Sequence, residues 1–484
     1  MALEILAIGL ALTALIYLAY RGLSLLILTP LLAGLLALVS VDTPLLASYT
    51  QVFMRAAGEF IVQYFPLFLL GAIFGKLMED SGSAEVLANA IVKQLGDARA
   101  ILAVVLSCAI MTYGGVSLFV VAFAVYPIAA ALFRQTDVPK RLIPATIALG
   151  AFTFTMTALP GTPAIQNAIP MPFFGTTPFA APGLGVLTGL VMLILGQWWL
   201  SYRAHQAKTS GEGYGQHDDA APDVGKTLRE RAAGEGFDLL EVPPEQPPKD
   251  PPPLLLALLP IVLVIGLNLL LSNWVIPAMD TIYLAEARFG ATTIEAVQGI
   301  WSVITALVVA IALLIATNFK RLPKLVASLD SGANASLLPI FNTASLVGFG
   351  SVIASLSAFE LISQWITSVG SDNVLVSLAL AVNVLAGMTG SASGGMSIAL
   401  ATLGDSYLAL GQAQGVSPEL MHRVTSVATG GLDALPHNGA VITLLSICGL
   451  THRQAYRDIA VVAVLIPIVA LILLIIGGTL LGTF

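Results

Sequence analysis

Asp433 and His437 stand four residues apart in the run Gly430-Gly431-Leu432-Asp433-Ala434-Leu435-Pro436-His437-Asn438-Gly439, inside an otherwise apolar stretch. Histidine titrates near physiological pH, and a neighbouring carboxylate favours its charged form. The pair is suited to taking up and releasing a proton. In this reading His437 carries it, or meets a ligand carboxylate, and Asp433 orients the ring. The plainer alternative is that Asp433 satisfies broken backbone and His437 donates one structural hydrogen bond.

Three further clusters combine glycines with hydroxyls. Thr112, Tyr113, Gly114, Gly115 and Ser117 form the first. Thr157, Gly161, Thr162 and Asn167 surround Pro160 and Pro163 in the second, and Thr389, Gly390, Ser391, Ser393 and Gly394 make the third. Glycine lets a carboxylate approach the backbone, and hydroxyls and amides bind carboxylate and hydroxyl groups. Asn438 and Gly439 extend the Asp433 segment in the same way. The competing reading is that small residues simply permit close helix packing in a membrane.

The elements that must position these residues follow from composition. Of 484 residues, 57% are hydrophobic and 10% charged, with a mean hydropathy of +0.90. Soluble domains carry about 25% charged residues, so a soluble dehydrogenase, kinase or hydrolase is excluded. Ten crossings are expected near 3–20, 23–41, 59–77, 140–169, 183–201, 254–272, 294–317, 333–358, 419–450 and 457–482, each able to bridge a hydrocarbon core. Segments 99–133 and 373–411 fold back around polar, glycine-rich centres and are expected as re-entrant hairpins. Cys108 and Cys448 sit in apolar runs and build neither a disulfide framework nor a metal site.

Residues 201–253 hold ten acidic and six basic residues and eight of the 27 prolines, the composition of a partly disordered linker. Placing the N-terminus outside puts 18 Lys and Arg inside, against Arg55, Arg288 and Arg423 outside. That bias predicts periplasmic termini and a cytoplasmic 201–253 linker. No basic patch suggests nucleic acid.

Phe65-Pro66-Leu67-Phe68 resembles Leu338-Pro339-Ile340-Phe341, 273 residues later. Tyr113-Gly114-Gly115-Val116-Ser117 pairs with Thr389-Gly390-Ser391-Ala392-Ser393, and Ala158-Leu159-Pro160-Gly161-Thr162 with Ala434-Leu435-Pro436-His437-Asn438, both at an offset of 276. Three matches in order predict two repeats, 1–200 and 254–484, flanking the linker. Each has five crossings, so the second enters the membrane from the opposite side. Such inverted repeats with broken helices are typical of secondary transporters. Two prolines break 140–169 and Pro436 breaks 419–450. The fold expected is thus an all-α polytopic membrane protein of about ten transmembrane helices plus two re-entrant hairpins, in two inverted-topology repeats broken at the midplane. No His-Glu metal motif or nucleophile turn appears, and neither cofactor nor metal is expected.

At Ala158-Leu159-Pro160-Gly161-Thr162-Pro163-Ala164-Ile165-Gln166-Asn167, at Met111 to Ser117 and at Leu435 to Gly439, the sequence resembles the gluconate/proton symporter permeases (GntP-type). It is most similar to their hydroxybutyrate-type members, within the ion transporter superfamily. The resemblance implies proton-coupled uptake of a hydroxylated monocarboxylate, 3-hydroxybutyrate ahead of gluconate, at a bacterial inner membrane. It further implies a homodimer with a fixed scaffold and a mobile, hairpin-bearing transport domain of the elevator type. Sodium coupling and an anion channel are the alternatives.

Overall fold

A computed structural model describes residues 2–21, 23–40, 43–215, 250–361, 373–436 and 438–484, and every regular element among them is helical. Two short apolar helices, α1 (Ala2–Tyr20) and α2 (Leu25–Val39), lead into the long α3 (Leu45–Asp80). Six helices among the described residues are long and apolar enough to cross a membrane. They are α3, α11 (Pro182–Thr209), α12 (Leu254–Val275), α13 (Ile294–Arg321), α14 (Leu325–Ala354) and α19 (His452–Leu481). The other four crossings expected from the sequence are the short α1 and α2 and the two proline-interrupted segments, which form no continuous helix.

Helices α3 and α14 run antiparallel at close quarters. The point where a Cβ would stand on Gly332 lies 2.8 Å from Ile73 Cα, and that on Gly348 lies 2.8 Å from Phe53 O. Hydrocarbon solvates apolar side chains as well as a neighbouring helix does, so association of this kind rests on dispersion, which glycine maximises by letting backbones approach. Pro66 and Pro339, matched in the sequence, lie inside these two helices.

The expected hairpin 99–133 becomes α5 (Ala100–Tyr113) and α6 (Leu118–Gln135), turning at Gly115 with φ +96°. The preceding α4 (Ser83–Leu95) meets the stretch leading into α5 at 105°. The hairpin 373–411 becomes α15 (Val374–Thr389) and α16 (Ala392–Ala413), turning at Gly390 with φ +62°. Ser391 caps α16 by accepting from Gly394 N at 3.1 Å. A Cβ on Gly395 would overlap the Ala386 backbone across this hairpin.

The first broken segment comprises α7 (Ile143–Ala151), α8 (Phe154–Thr157), α9 (Ile165–Ala168) and α10 (Pro170–Phe174). The second comprises α17 (Pro418–Leu432) and α18 (Gly439–Ile447). The prolines act as expected, and the first segment breaks a second time at Phe152 and Thr153, ahead of them.

At one end of the bundle, charged groups tie three elements together. Arg141 donates to Glu212 Oε1 at 2.6 Å and to Asp458 Oδ2 at 2.8 Å, and Arg203 reaches Asp458 Oδ1 at 2.8 Å. Helix α11 runs through Thr209, so the start of the 201–253 segment is helical, while 216–249 lie outside the described residues. The Arg141 guanidinium, hydrogen bonded to Glu212, holds that carboxyl below its ordinary value of 4.5. A depressed carboxylate stabilises the fold above its unfolded pKa and stops doing so as acid protonates it.

Three outcomes follow. In detergent, wild type is more stable than Glu212→Gln at neutral pH, and the melting-temperature gap between them closes as the pH falls below 4.5. Gly395→Val yields no folded protein by size-exclusion chromatography. Gly71→Ala, a mid-helix position with nothing within 4 Å, alters stability by less than about 1 kcal/mol.

Candidate functional site

The two broken segments face each other across a cleft lined by Leu118, Phe152, Met156, Thr157, Gln166, Asp433, Ala434, Asn438 and Ala440. Three helix ends converge on it. Leu118 is the first residue of α6 and Ala440 the second of α18. Both helices present N-termini, whose free N–H groups and partial positive charge attract anions. Asp433 follows the last residue of α17, at that helix's negative end. Asn438 caps α18 by accepting from Val441 N at 3.0 Å.

Two buried polar atoms here have no protein partner. Ser117 Oγ stands at the cap of α6, and Gln166 Oε1 belongs to a cleft residue that is 4% exposed. Leaving such atoms unpaired costs about 1–3 kcal/mol each.

Of the residues singled out from the sequence, the cleft gathers Thr157, Asp433 and Asn438 directly. Thr157 Oγ1 donates to Thr153 O at 3.1 Å, and Asn438 Nδ2 donates to Gly390 O at 3.1 Å. In the first hairpin, Thr112 Oγ1 is buried without a partner and Tyr113 Oη donates to Pro160 O at 2.7 Å. Gly114 packs on Ile261 and Gly115 on Pro163. Gly161 donates from its N to Pro178 O at 2.8 Å, and its carbonyl accepts from Asn268 Nδ2 at 3.2 Å. Thr162 Oγ1 accepts from Ala164 N at 3.3 Å. Gly439 opens α18.

The second hairpin does not line the cleft. Thr389 Oγ1 donates to Leu385 O at 2.8 Å, Ser391 and Ser393 lie 3.4 Å apart at the cap of α16, and Gly394 packs on Leu346. It meets the second break through the Gly390 to Asn438 bond and through the packing of Gly387 on Leu432 and of Asn383 on Gly431. His437 lies outside the described residues.

Asn167 points away from the cleft, into a cluster missed from the sequence. Its Nδ2 donates to Thr162 O and Pro178 O, both at 3.0 Å, so Oδ1 is left to accept from Arg423 Nη1 at 3.1 Å and His422 Nε2 at 3.2 Å. With Nε2 donating, His422 Nδ1 accepts from Thr176 Oγ1 at 2.6 Å. Arg423 is fully buried. Its remaining donors reach Ala180 O at 2.8 and 3.1 Å, Thr157 O at 3.3 Å and Pro178 O at 3.4 Å. The tally of Lys and Arg counted Arg423 on the outer side, at the start of the expected crossing 419–450; it lies five residues inside α17, buried and stapling the first break. Ser417 before Pro418, a helix-start pair, is the signal that locates it there.

The guanidinium carries five N–H groups, and carbonyl or amide oxygens accept throughout this arrangement. Arg423→Met therefore strips partners from four acceptors and lowers stability by about 3 kcal/mol or more, read as a fall in melting temperature of the purified protein. Arg423→Lys, with three donors in another geometry, recovers only part of it.

No family model matches the chain. The "Uncharacterized transporter YxjC" of Bacillus subtilis (strain 168) is 44% identical over 462 residues, covering 94% of this chain and 95% of the relative. The crystal structure of the Alcanivorax borkumensis YdaH transporter, described as having an unusual topology, superposes with a TM-score of 0.57 over 96% of this chain and 98% of that one. At 14% identity it speaks for the fold alone. Long apolar helices and transporter relatives make this a membrane protein, and by its similarity to YxjC over nearly its whole length the chain belongs to that transporter family.

Proposed function

We propose that the chain takes up a small hydroxy-monocarboxylate, best 3-hydroxybutyrate, together with a proton, by alternating access across a bacterial inner membrane. The observation carrying this reading is the cleft itself, where the N-termini of α6 and α18 meet the carboxyl of Asp433. The helix ends and Ser117 suit a carboxylate. An anion and an ionised Asp433 in one narrow cleft repel each other, so binding the anion favours a proton on Asp433. Proton and substrate then bind and leave together, which is the linkage a symporter needs.

The lining favours a short acid over gluconate. Leu118, Phe152, Met156, Ala434 and Ala440 are apolar, while Thr157 and Asn438 already have partners within the protein. Several sugar hydroxyls would go unpaired there. Two inverted repeats, 1–200 and 254–484, joined by a cytoplasmic linker, are supported by the matched peptides recurring at matched places, in α3 and α14, in the two hairpin turns and in the two breaks. Helix α5 has 14 residues, about 21 Å, short of a hydrocarbon core of about 30 Å, which supports a re-entrant hairpin. An elevator motion in a homodimer, with both termini periplasmic, completes the reading. Of the three glycine-hydroxyl clusters, Thr157 lines the proposed site and Ser117 stands next to it at the cap of α6, while the second hairpin and Asn167 stand behind it. A sodium-coupled variant has one observation in its favour: Asn383 Oδ1 is buried without a partner against Gly431.

In proteoliposomes, an inward proton gradient drives accumulation of labelled 3-hydroxybutyrate without sodium. Asp433→Asn lowers that accumulation by about tenfold or more yet retains substrate counterflow. Accumulation that requires sodium overturns the coupling, continuous current without counterflow overturns the carrier, and uptake of gluconate alone overturns the substrate.

A further inference from the structure

Gln166 is the polar lining residue that was not among the candidate site residues, and its surroundings are built to hold it still. It lies in α9, a helix of four residues. Its carbonyl accepts from Ser426 Oγ at 2.9 Å, and its neighbour Asn167 is fastened by four hydrogen bonds to Thr162, Pro178, His422 and Arg423. Gln166 and the residue after it are therefore pinned to α17 and to the loop after α10. The side chain is presented to the cleft from a fixed base.

Its amide carries an acceptor, Oε1, and two N–H donors, and it is the acceptor that the protein leaves without a partner. Oε1 is buried with no partner, while the other neutral polar side chains of the cleft are engaged within the protein, Thr157 on Thr153 and Asn438 on Val441 and Gly390. A carboxylate has no hydrogen to give such an atom; a hydroxyl has one. An acid lacking the hydroxyl leaves Oε1 unpaired and sealed from water, at the full cost of a buried acceptor. A site built around a substrate hydroxyl rejects the analogue lacking it far more strongly than an apolar pocket rejects a change in size.

Resting on the transport reading above, we infer that Gln166 is the specificity-determining residue that reads the hydroxyl of the substrate, separating hydroxy acids from unsubstituted acids of the same length. The carboxylate lies toward the N-termini of α6 and α18, the hydroxyl toward Gln166, and the hydrocarbon against Leu118, Phe152 and Met156. The amide leaves the substrate's charge to other groups and decides which monoanion occupies the cleft.

The test compares labelled 3-hydroxybutyrate with labelled butyrate in proteoliposomes, using wild type and Gln166→Met, which keeps the length of the side chain and removes the acceptor. Wild type favours the hydroxy acid in uptake rate over KM by about tenfold or more. In Gln166→Met the KM for 3-hydroxybutyrate rises, butyrate transport is kept or improved, and the preference collapses toward unity. Retained butyrate transport also reports that the variant is folded. Should Met fail to fold, Gln166→Asn, which withdraws the amide by one methylene, gives the same ordering. Equal losses for both acids, or an unchanged preference, overturn the inference while leaving hydroxy-acid transport standing. Accumulation of neither acid by wild type removes the transport reading and the inference together.

Discussion

Irregular backbone inside an apolar environment must find partners for every N–H and C=O, and in this chain one side chain answers much of that demand. Arg423 spends its guanidinium on the carbonyls of Thr157, Pro178 and Ala180 and on Asn167 Oδ1. No carboxylate is among these partners. The positive charge is met by carbonyl dipoles, which the two interruptions of the helix leave pointing inward. Hydrocarbon tolerates broken helix only where protein or a wet cavity supplies such partners. Fixing the first break fixes α9, hence Gln166, and through Thr157 one wall of the cleft.

The same logic operates with opposite polarity at the second break. There α17 ends on Asp433 and α18 begins from Asn438, so the negative end of one helix and the positive end of the next open on the same space. Opposed helix ends meet at the cleft, and no Lys or Arg is among its lining residues. The buried cation stands one layer behind, its donors already committed. On the proposed transport reading, an anion entering the cleft meets oriented backbone and amide groups.

Much of this was legible in the sequence. Prolines 160, 163 and 436 located the breaks, because proline removes a donor and clashes with the preceding turn. Gly115 and Gly390 located the hairpin turns, and both adopt positive φ. What stayed hidden depends on long-range geometry. Arg423 falls at the start of the expected crossing 419–450, and nothing local says that its partners are the carbonyls of the first break. Asn167 and Gln166 are adjacent amides of similar chemistry; which of them faces the cleft follows from where His422 and Arg423 lie, more than 250 residues further on. An apolar window also takes no account of the interruption at Phe152 and Thr153, which breaks the first segment ahead of its prolines.

The Arg423 staple also has a bearing on how the protein is made. Its bonds join residues 243 to 266 positions apart, so the first break emerges from the ribosome long before the side chain that completes it exists. Until α17 is synthesised, the carbonyls around Thr157, Pro178 and Ala180 must be sheltered by the insertion machinery or by water at the membrane interface. The first half of the chain is thus a dependent intermediate, released into lipid on terms set by the second. Arg423 in turn can leave the aqueous phase only because its acceptors are already waiting. The order of synthesis turns a buried cation from an obstacle to insertion into the event that closes it.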